Sequence, residues 1–122
     1  MNHDPTTFIA SCSGGEDSVA TLILAKEYGE PLNEVVYCEV MFDKQISAEH
    51  PEHTEFIYTK LKPFVENDLG VPFVILRSEK TYIDVFTHLI TKGENIGKPY
   101  GFTYPRMCAV NRDLKIPPIR EY

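Results

Sequence analysis

The feature that most constrains the fold is an alternation, repeated three times, of an apolar strand-like segment with a helical one. The strand-like segments are residues 6–11, 34–42 and 71–76, and the helical patterns follow at about 16–28, 51–70 and 81–90. Parallel strands joined through helices form right-handed crossovers that cover both faces of a sheet. The sequence therefore predicts an α/β fold, a three-layer α/β/α arrangement around a small parallel sheet of about three strands.

Local signals place the helix ends. Gly29 ends the first helix, and Pro51 occupies the first turn of the second. Thr81 and Asp84 match a capping box at the start of the third. The third helix is expected to present one apolar face made of Tyr82, Val85, Phe86, Leu89 and Ile90.

Length and composition indicate one globular domain spanning residues 1–122. The chain has 43% hydrophobic and 25% charged residues, and no apolar run approaches the length of a membrane span. We expect no signal peptide in the first residues, because they lack its pattern. The three cysteines include no C-x-x-C pair, which favours a reducing, cytoplasmic location.

Charge is distributed unevenly along the chain. Residues 1–91 contain six Lys and Arg against fifteen Asp and Glu, whereas residues 92–122 contain six against three. The acidic body argues against nucleic acid as a partner. Residues 92–105 are predicted to be a loop, and the basic segment 106–122 could complete an anion site.

The most informative short stretch is Ser13-Gly14-Gly15-Glu16-Asp17-Ser18, between the first strand and the first helix. Such a turn directs free backbone N–H groups and a helix dipole at one point, which suits a phosphate. Glycine permits backbone angles that a Cβ would forbid, and the serine hydroxyls offer further donors. The spacing is neither that of a Walker loop nor G-x-G-x-x-G.

This Ser-Gly-Gly-x-Asp-Ser pattern resembles the PP-loop of the adenine-nucleotide α-hydrolase-like superfamily. That superfamily includes ATP pyrophosphatases, ATP sulfurylases and phosphoadenosine-phosphosulfate (PAPS) reductases. Two looser stretches are similar to the PAPS-reductase-like branch. One runs from Val40 through Asp43 to residues 49–57, and the other is residues 108–119.

The resemblance implies an adenine nucleotide as ligand, with chemistry at its phosphate or at an attached sulfate. By position, the phosphate would be held by Ser13, Gly14, Gly15, Glu16, Asp17, Ser18, Asp43, Arg112 and Lys115. Cys108 is the candidate catalytic residue, with a small residue in a packed turn as the favoured alternative. A Mg²⁺ carried by the nucleotide could use Asp17 or Asp43, although Asp17 could equally cap its helix. In one subgroup of these relatives a doubled cysteine binds an iron–sulfur cluster. This chain has Cys108-Ala109 at that place, so no cluster is expected.

The chain departs from these relatives at its C-terminal side, which lacks their further strands and late catalytic cysteine. A short sheet has exposed edges, so we expect self-association, most simply as a dimer. Two functions stay open. One is an enzyme, a transferase or hydrolase of sulfur metabolism, acting on the nucleotide. The other is a non-catalytic module, such as a phage-type inhibitor or regulatory protein, binding a nucleotide or a protein.

Histidines and aromatic residues are weaker candidates. His50 and His53 lie three residues apart among glutamates, which favours a solvated helix face over a metal site. The aromatic side chains of Tyr100, Phe102 and Tyr104 could stack on an adenine, although packing onto the core is the more common role for such residues.

Overall fold

The structure, a computed structural model, describes residues 6–102 and 108–122. Its centre is a three-stranded, all-parallel sheet in the order β1-β2-β3. The strands are β1 (Ile9–Ser11), β2 (Glu34–Glu39) and β3 (Phe73–Arg77). The predicted α/β class and parallel sheet are therefore confirmed.

The central strand is shorter than the apolar run that predicted it. β2 stops at Glu39, and the chain then folds back on itself, with Met41 bridged to Ser47. The Phe42 N–H donates to the Ile46 carbonyl at 2.8 Å. Met41 and Phe42 thus belong to a tight turn beyond the sheet.

Four α-helices and three wider, π-helical turns complete the described structure. The helices are α1 (Glu16–Glu27), α2 (Pro51–Phe56), α3 (Tyr82–Thr87) and α4 (Ile116–Glu121). π-helical turns extend α2 as Ile57–Leu61 and Phe64–Leu69, and Asn111–Lys115 precedes α4. The capping box of Thr81 and Asp84 is present at the start of α3, as predicted.

The predicted third helix is wrong beyond Thr87. His88 leaves the helical region with ψ of 129°, so Leu89 and Ile90 do not continue the apolar face. Instead Leu89 forms an antiparallel bridge with Pro99, and the Ile90 N–H donates to the Lys98 carbonyl at 2.9 Å. Pairing with the following loop replaces the helical hydrogen bonds.

The larger core lies between one face of the sheet and the helices α1 and α2. Val35 and Tyr37 point from β2 into this core and meet Leu22 of α1 together with Ile57 and Leu61. These five side chains are at most 3% exposed. The alternation of side chains along β2 sends Val36 and Cys38 to the opposite face.

The second core covers that opposite face. It contains Val40, Val85 of α3, Ala109 and Leu114. The Cys38 thiol donates to the Leu114 carbonyl at 3.3 Å, so the C-terminal helical segment lies against β2. Burial raises the pKa of that thiol, and the nearby Lys115 charge partly opposes the rise. No helix in the described part of the chain is long and apolar enough to cross a membrane.

Candidate functional site

The turn between β1 and α1 depends on one glycine more than the other. Gly14 has φ of 84°, and a Cβ there would lie 2.5 Å from Cδ1 of Ile57 and 2.9 Å from Cε1 of His53. Gly15 has an extended backbone with φ of −76°, and its added Cβ would meet Ser13 Oγ at an ordinary 3.5 Å. Only Gly14 is therefore required by the backbone and by its neighbours.

The two serine hydroxyls of the turn bind within the turn itself. Ser18 Oγ donates to the Gly15 carbonyl at 3.0 Å and lies 3.2 Å from Ser13 Oγ. Ser13 Oγ accepts from the Gly15 N–H at 3.3 Å, so its own proton is directed to Ser18. These hydroxyls shape the turn, and a ligand would have to redirect them to use them as donors.

The backbone N–H groups are the donors that the turn leaves open. Gly15 caps α1 without a side-chain hydrogen bond, and the first helical bond joins the Val19 N–H to the Gly15 carbonyl. Among the described residues, nothing accepts a hydrogen bond from the N–H groups of Glu16, Asp17 and Ser18. Such groups at the N-terminus of a 12-residue helix form an anion-binding geometry.

The side chains of Glu16 and Asp17 place negative charge at the same end of α1. Both are exposed in the first turn, where they stabilise the helix dipole. The alternative role for Asp17, as the cap of its helix, is not what the structure shows, because the N-cap is Gly15 and it has no side-chain hydrogen bond. The charge of Glu16 and Asp17 would also repel a phosphate without a counter-ion.

His53 contacts the turn from α2, a role that the sequence did not indicate. Its Nε2 lies 3.0 Å from the Ser13 carbonyl oxygen, to which it must donate. The ring is half-buried, with Tyr37 and Phe56 beside it at centroid distances of 6.3 and 6.5 Å. The predicted solvated face therefore describes His50, which is exposed and caps α2, but not His53.

A buried carboxylate marks the carboxyl end of β2. Glu39 is 2% exposed, and its Oε1 accepts from Arg77 and from the Tyr58 hydroxyl. Arg77 also donates to Tyr58 Oη at 2.9 Å. The hydrogen bond with Glu39 raises the pKa of Arg77 above its ordinary value, so the guanidinium stays charged at neutral pH.

Asp43 follows β2 in the tight turn. Its Oδ1 accepts from the N–H groups of Gln45 and Ile46 at 2.8 and 2.7 Å. One carboxylate oxygen is thus committed to closing the turn. Within residues 6–102 and 108–122, no three or more His, Cys, Asp or Glu side chains form a cluster that could hold a metal ion.

The predicted anion-binding cations, Arg112 and Lys115, have neighbours other than the turn. Arg112 forms a two-pronged ion pair with Asp113, at 2.8 and 2.9 Å, and also interacts with Tyr100. This pairing raises the pKa of Arg112 and lowers that of Asp113. Lys115 lies half-buried near Cys38. No hydrogen bond or ion pair among the described residues joins either cation to the turn at 13–18.

A cleft of about 310 Å³ lies beside Arg112. Lys80, Asp84 and His88 contribute to its walls. Tyr100 also lines it and stacks on His88 at a centroid distance of 5.2 Å. The cleft therefore brings together the cations Lys80 and Arg112 and the carboxylates of Asp84 and Asp113.

Cys108 lies at the start of the C-terminal helical segment. It is exposed, and its sulfur accepts from the Asn111 N–H at 3.4 Å, in the manner of a helix cap. Of the aromatic candidates, Phe102 packs edge-on against Phe86. Tyr104 lies outside the described residues, as do Thr103 and residues 105–107.

No protein-family model, curated protein or solved structure matches this chain.

Proposed function

We propose that the chain binds the phosphate end of an adenine nucleotide at residues 13–18. The observation that carries the proposal is the set of unbonded N–H groups of Glu16, Asp17 and Ser18 at the start of α1. They lie at the carboxyl end of a parallel strand, where ligands of open α/β sheets bind. The adenine part rests on the resemblance of the Ser-Gly-Gly-x-Asp-Ser stretch to a PP-loop.

Gly14 supports the same proposal. Its left-handed backbone and the close approach of Ile57 leave no room for a side chain. A residue without a Cβ at this point also lets a ligand approach the backbone of the turn closely.

A binding role is favoured over catalysis by the placement of the cations. Arg112 is already paired with Asp113, and Lys115 lies near Cys38. Phosphoryl and sulfuryl transfer need positive charge aimed at the reacting group. We therefore propose the non-catalytic module as the first candidate and the PP-loop enzyme as the second.

The deciding experiment is titration calorimetry with ATP, AMP, adenylyl sulfate, PAPS and adenosine, with and without Mg²⁺. We expect binding of the phosphorylated ligands and none of adenosine. Gly14→Ala should abolish binding. Gly70→Ala is the matched control, because Gly70 also has a positive φ, 72°, but no atom near its missing Cβ.

Two results would count against the proposal. Equal affinity for adenosine and ATP would show that the phosphate is not recognised. Unchanged ATP affinity in a folded Gly14→Ala variant would exclude the turn as the site. Release of phosphate or sulfate from any of these ligands would instead favour the enzyme.

A further inference from the structure

We infer that His53 is the positioning residue of the phosphate-binding turn. It sets the direction of the Gly14 N–H through its hydrogen bond to the Ser13 carbonyl. The ligand in this inference rests on the proposed function. The role of His53 in orienting the Gly14 N–H rests on the geometry of α2 and the turn.

The peptide unit between Ser13 and Gly14 links the direction of the Ser13 carbonyl to that of the Gly14 N–H. In a planar trans peptide the C=O and the N–H point in opposite directions. His53 Nε2 lies 3.0 Å from the Ser13 carbonyl oxygen, so this oxygen points toward α2. The Gly14 N–H must then point away from α2. No acceptor among the described residues bonds to it.

The His53 ring is itself held in place by its neighbours. Tyr37 lies on one side of the ring and Phe56 near it, and the ring is half-buried between α2 and β2. A side chain restrained in this way can fix a peptide plane, whereas a free surface histidine would follow the peptide's motion.

Gly14 provides the space that the His53 ring needs. Any Cβ at Gly14 would lie 2.9 Å from Cε1 of His53 and 2.5 Å from Cδ1 of Ile57. The glycine is therefore what lets the imidazole come close enough to bind the preceding carbonyl. The two residues therefore act together. Gly14 leaves space for the imidazole, and His53 donates the hydrogen bond to the Ser13 carbonyl.

His53 acts through the backbone and does not need to touch the ligand. Its Nε2 is occupied by Ser13. Removing the donor would leave the N–H groups of Glu16, Asp17 and Ser18 in place, because the helix holds them. We therefore expect weaker binding rather than its complete loss.

The experiment uses three variants of the full chain. His53→Phe keeps an aromatic ring and removes the donor, and His53→Gln keeps an N–H donor. His50→Phe is the matched control, since His50 lies one helical turn away, is exposed, and its ring accepts from the Glu52 N–H rather than contacting the turn. Each is examined by NMR without ligand, by thermal unfolding, and by titration with ATP.

The ligand-free spectrum gives the direct test. His53→Phe should shift the Gly14 amide and the Ser13 carbonyl signals, and His50→Phe should leave both in place. ATP affinity should fall about tenfold in His53→Phe, the effect of one hydrogen bond, and recover largely in His53→Gln. In the wild-type spectrum the neutral His53 ring should carry its proton on Nε2.

Each contrary result has a defined meaning. An unmoved Gly14 amide in His53→Phe, or a neutral His53 protonated on Nδ1, would overturn the inference. Equal affinity losses in His53→Phe and His53→Gln would also overturn it, because a donor would then be irrelevant. The wild-type tautomer keeps the test available if His53→Phe does not fold. Failure of wild-type protein to bind ATP would overturn the proposed function alone, because the Gly14 shift is read without ligand.

Discussion

Arg77 Nε lies 2.8 Å from Oε1 of Glu39, and this contact joins the carboxyl ends of β2 and β3. Glu39 is 2% exposed, whereas the Arg77 side chain is 51% exposed. The carboxylate has therefore lost its water, while the guanidinium has kept part of its own. The pair holds together two neighbouring strands at the edge of the sheet where the proposed site lies.

Arg77→Ala should lower the free energy of unfolding substantially. It leaves the Glu39 charge buried with only the Tyr58 hydroxyl as partner. Loss of one member of a buried pair costs roughly 3–5 kcal/mol, and the exposure of Arg77 places the expected loss near or below the lower value. Urea unfolding at pH 7 measures it.

The control for that variant is Glu66→Ala, which removes an exposed pair with Lys62 four residues away on the helical surface. That change should cost about 0.5 kcal/mol or less. Similar losses in the two variants would mean that the burial of Glu39 does not matter to stability.

The capping box should make stability depend on pH. Hydrogen bonds from Thr81 lower the pKa of Asp84 below its ordinary value of 3.8. A carboxyl whose folded pKa is lowered adds stability that is fully present above its unfolded pKa and is lost as pH falls through the folded one. Asp84→Asn should therefore be less stable than wild type at pH 7, and the difference should shrink below about pH 4. A difference that stays constant down to pH 2 would contradict the assignment.

Glu16→Gln should increase the affinity for ATP. The Glu16 carboxylate is exposed in the first turn of α1, beside the proposed phosphate position. Removal of a like charge there should strengthen binding severalfold at low salt, and less at high salt. Calorimetry at about 20 mM and about 500 mM salt, where the Debye length is roughly 20 Å and roughly 4 Å, makes the comparison. The same substitution at Glu27, at the other end of α1, should change nothing.

Arg112→Ala should leave ATP affinity within about threefold of wild type. Arg112 binds Asp113 through two hydrogen bonds. No hydrogen bond or ion pair among the described residues joins it to the turn at 13–18. A loss of tenfold or more that diminishes with salt would show that the basic segment does reach the ligand. The resemblance would then have placed Arg112 correctly.

Light scattering after size exclusion should show a dimer at micromolar concentration. β1 is an edge strand of three residues. Its first residue, Ile9, is 39% exposed, and Phe8 just before it is 51% exposed. Unpaired strand edges with exposed apolar side chains favour association. Ile9→Lys should give a monomer, and Ile96→Lys, on the exposed loop, should not. At about 100 μM the protein concentration is roughly a hundred times a micromolar dissociation constant. Wild-type protein that is still monomeric there would refute the dimer.

Much of the fold was accessible because its signals are local. The capping box at Thr81 and the glycine turn after β1 depend on neighbours within a few residues, and both occur where the sequence predicts them. The parallel sheet follows from the alternation of strands and helices.

Signals that depend on distant residues were missed. The apolar spacing after Thr87 predicts more helix, but the pairing of Leu89 with Pro99 decides the conformation there. The role of His53 depends on a carbonyl 40 positions earlier, and periodicity holds no information about such a contact.

The C-terminal helical segment has a consequence for the order in which the molecule can be completed. Cys38 bonds to Leu114, 76 residues later, and the Tyr122 hydroxyl donates to Glu34, 88 residues away, at 2.8 Å. During synthesis the far face of β2 therefore emerges long before the segment that covers it. Until α4 has been synthesised, this apolar face of β2 would be exposed to water, to chaperones and to other chains.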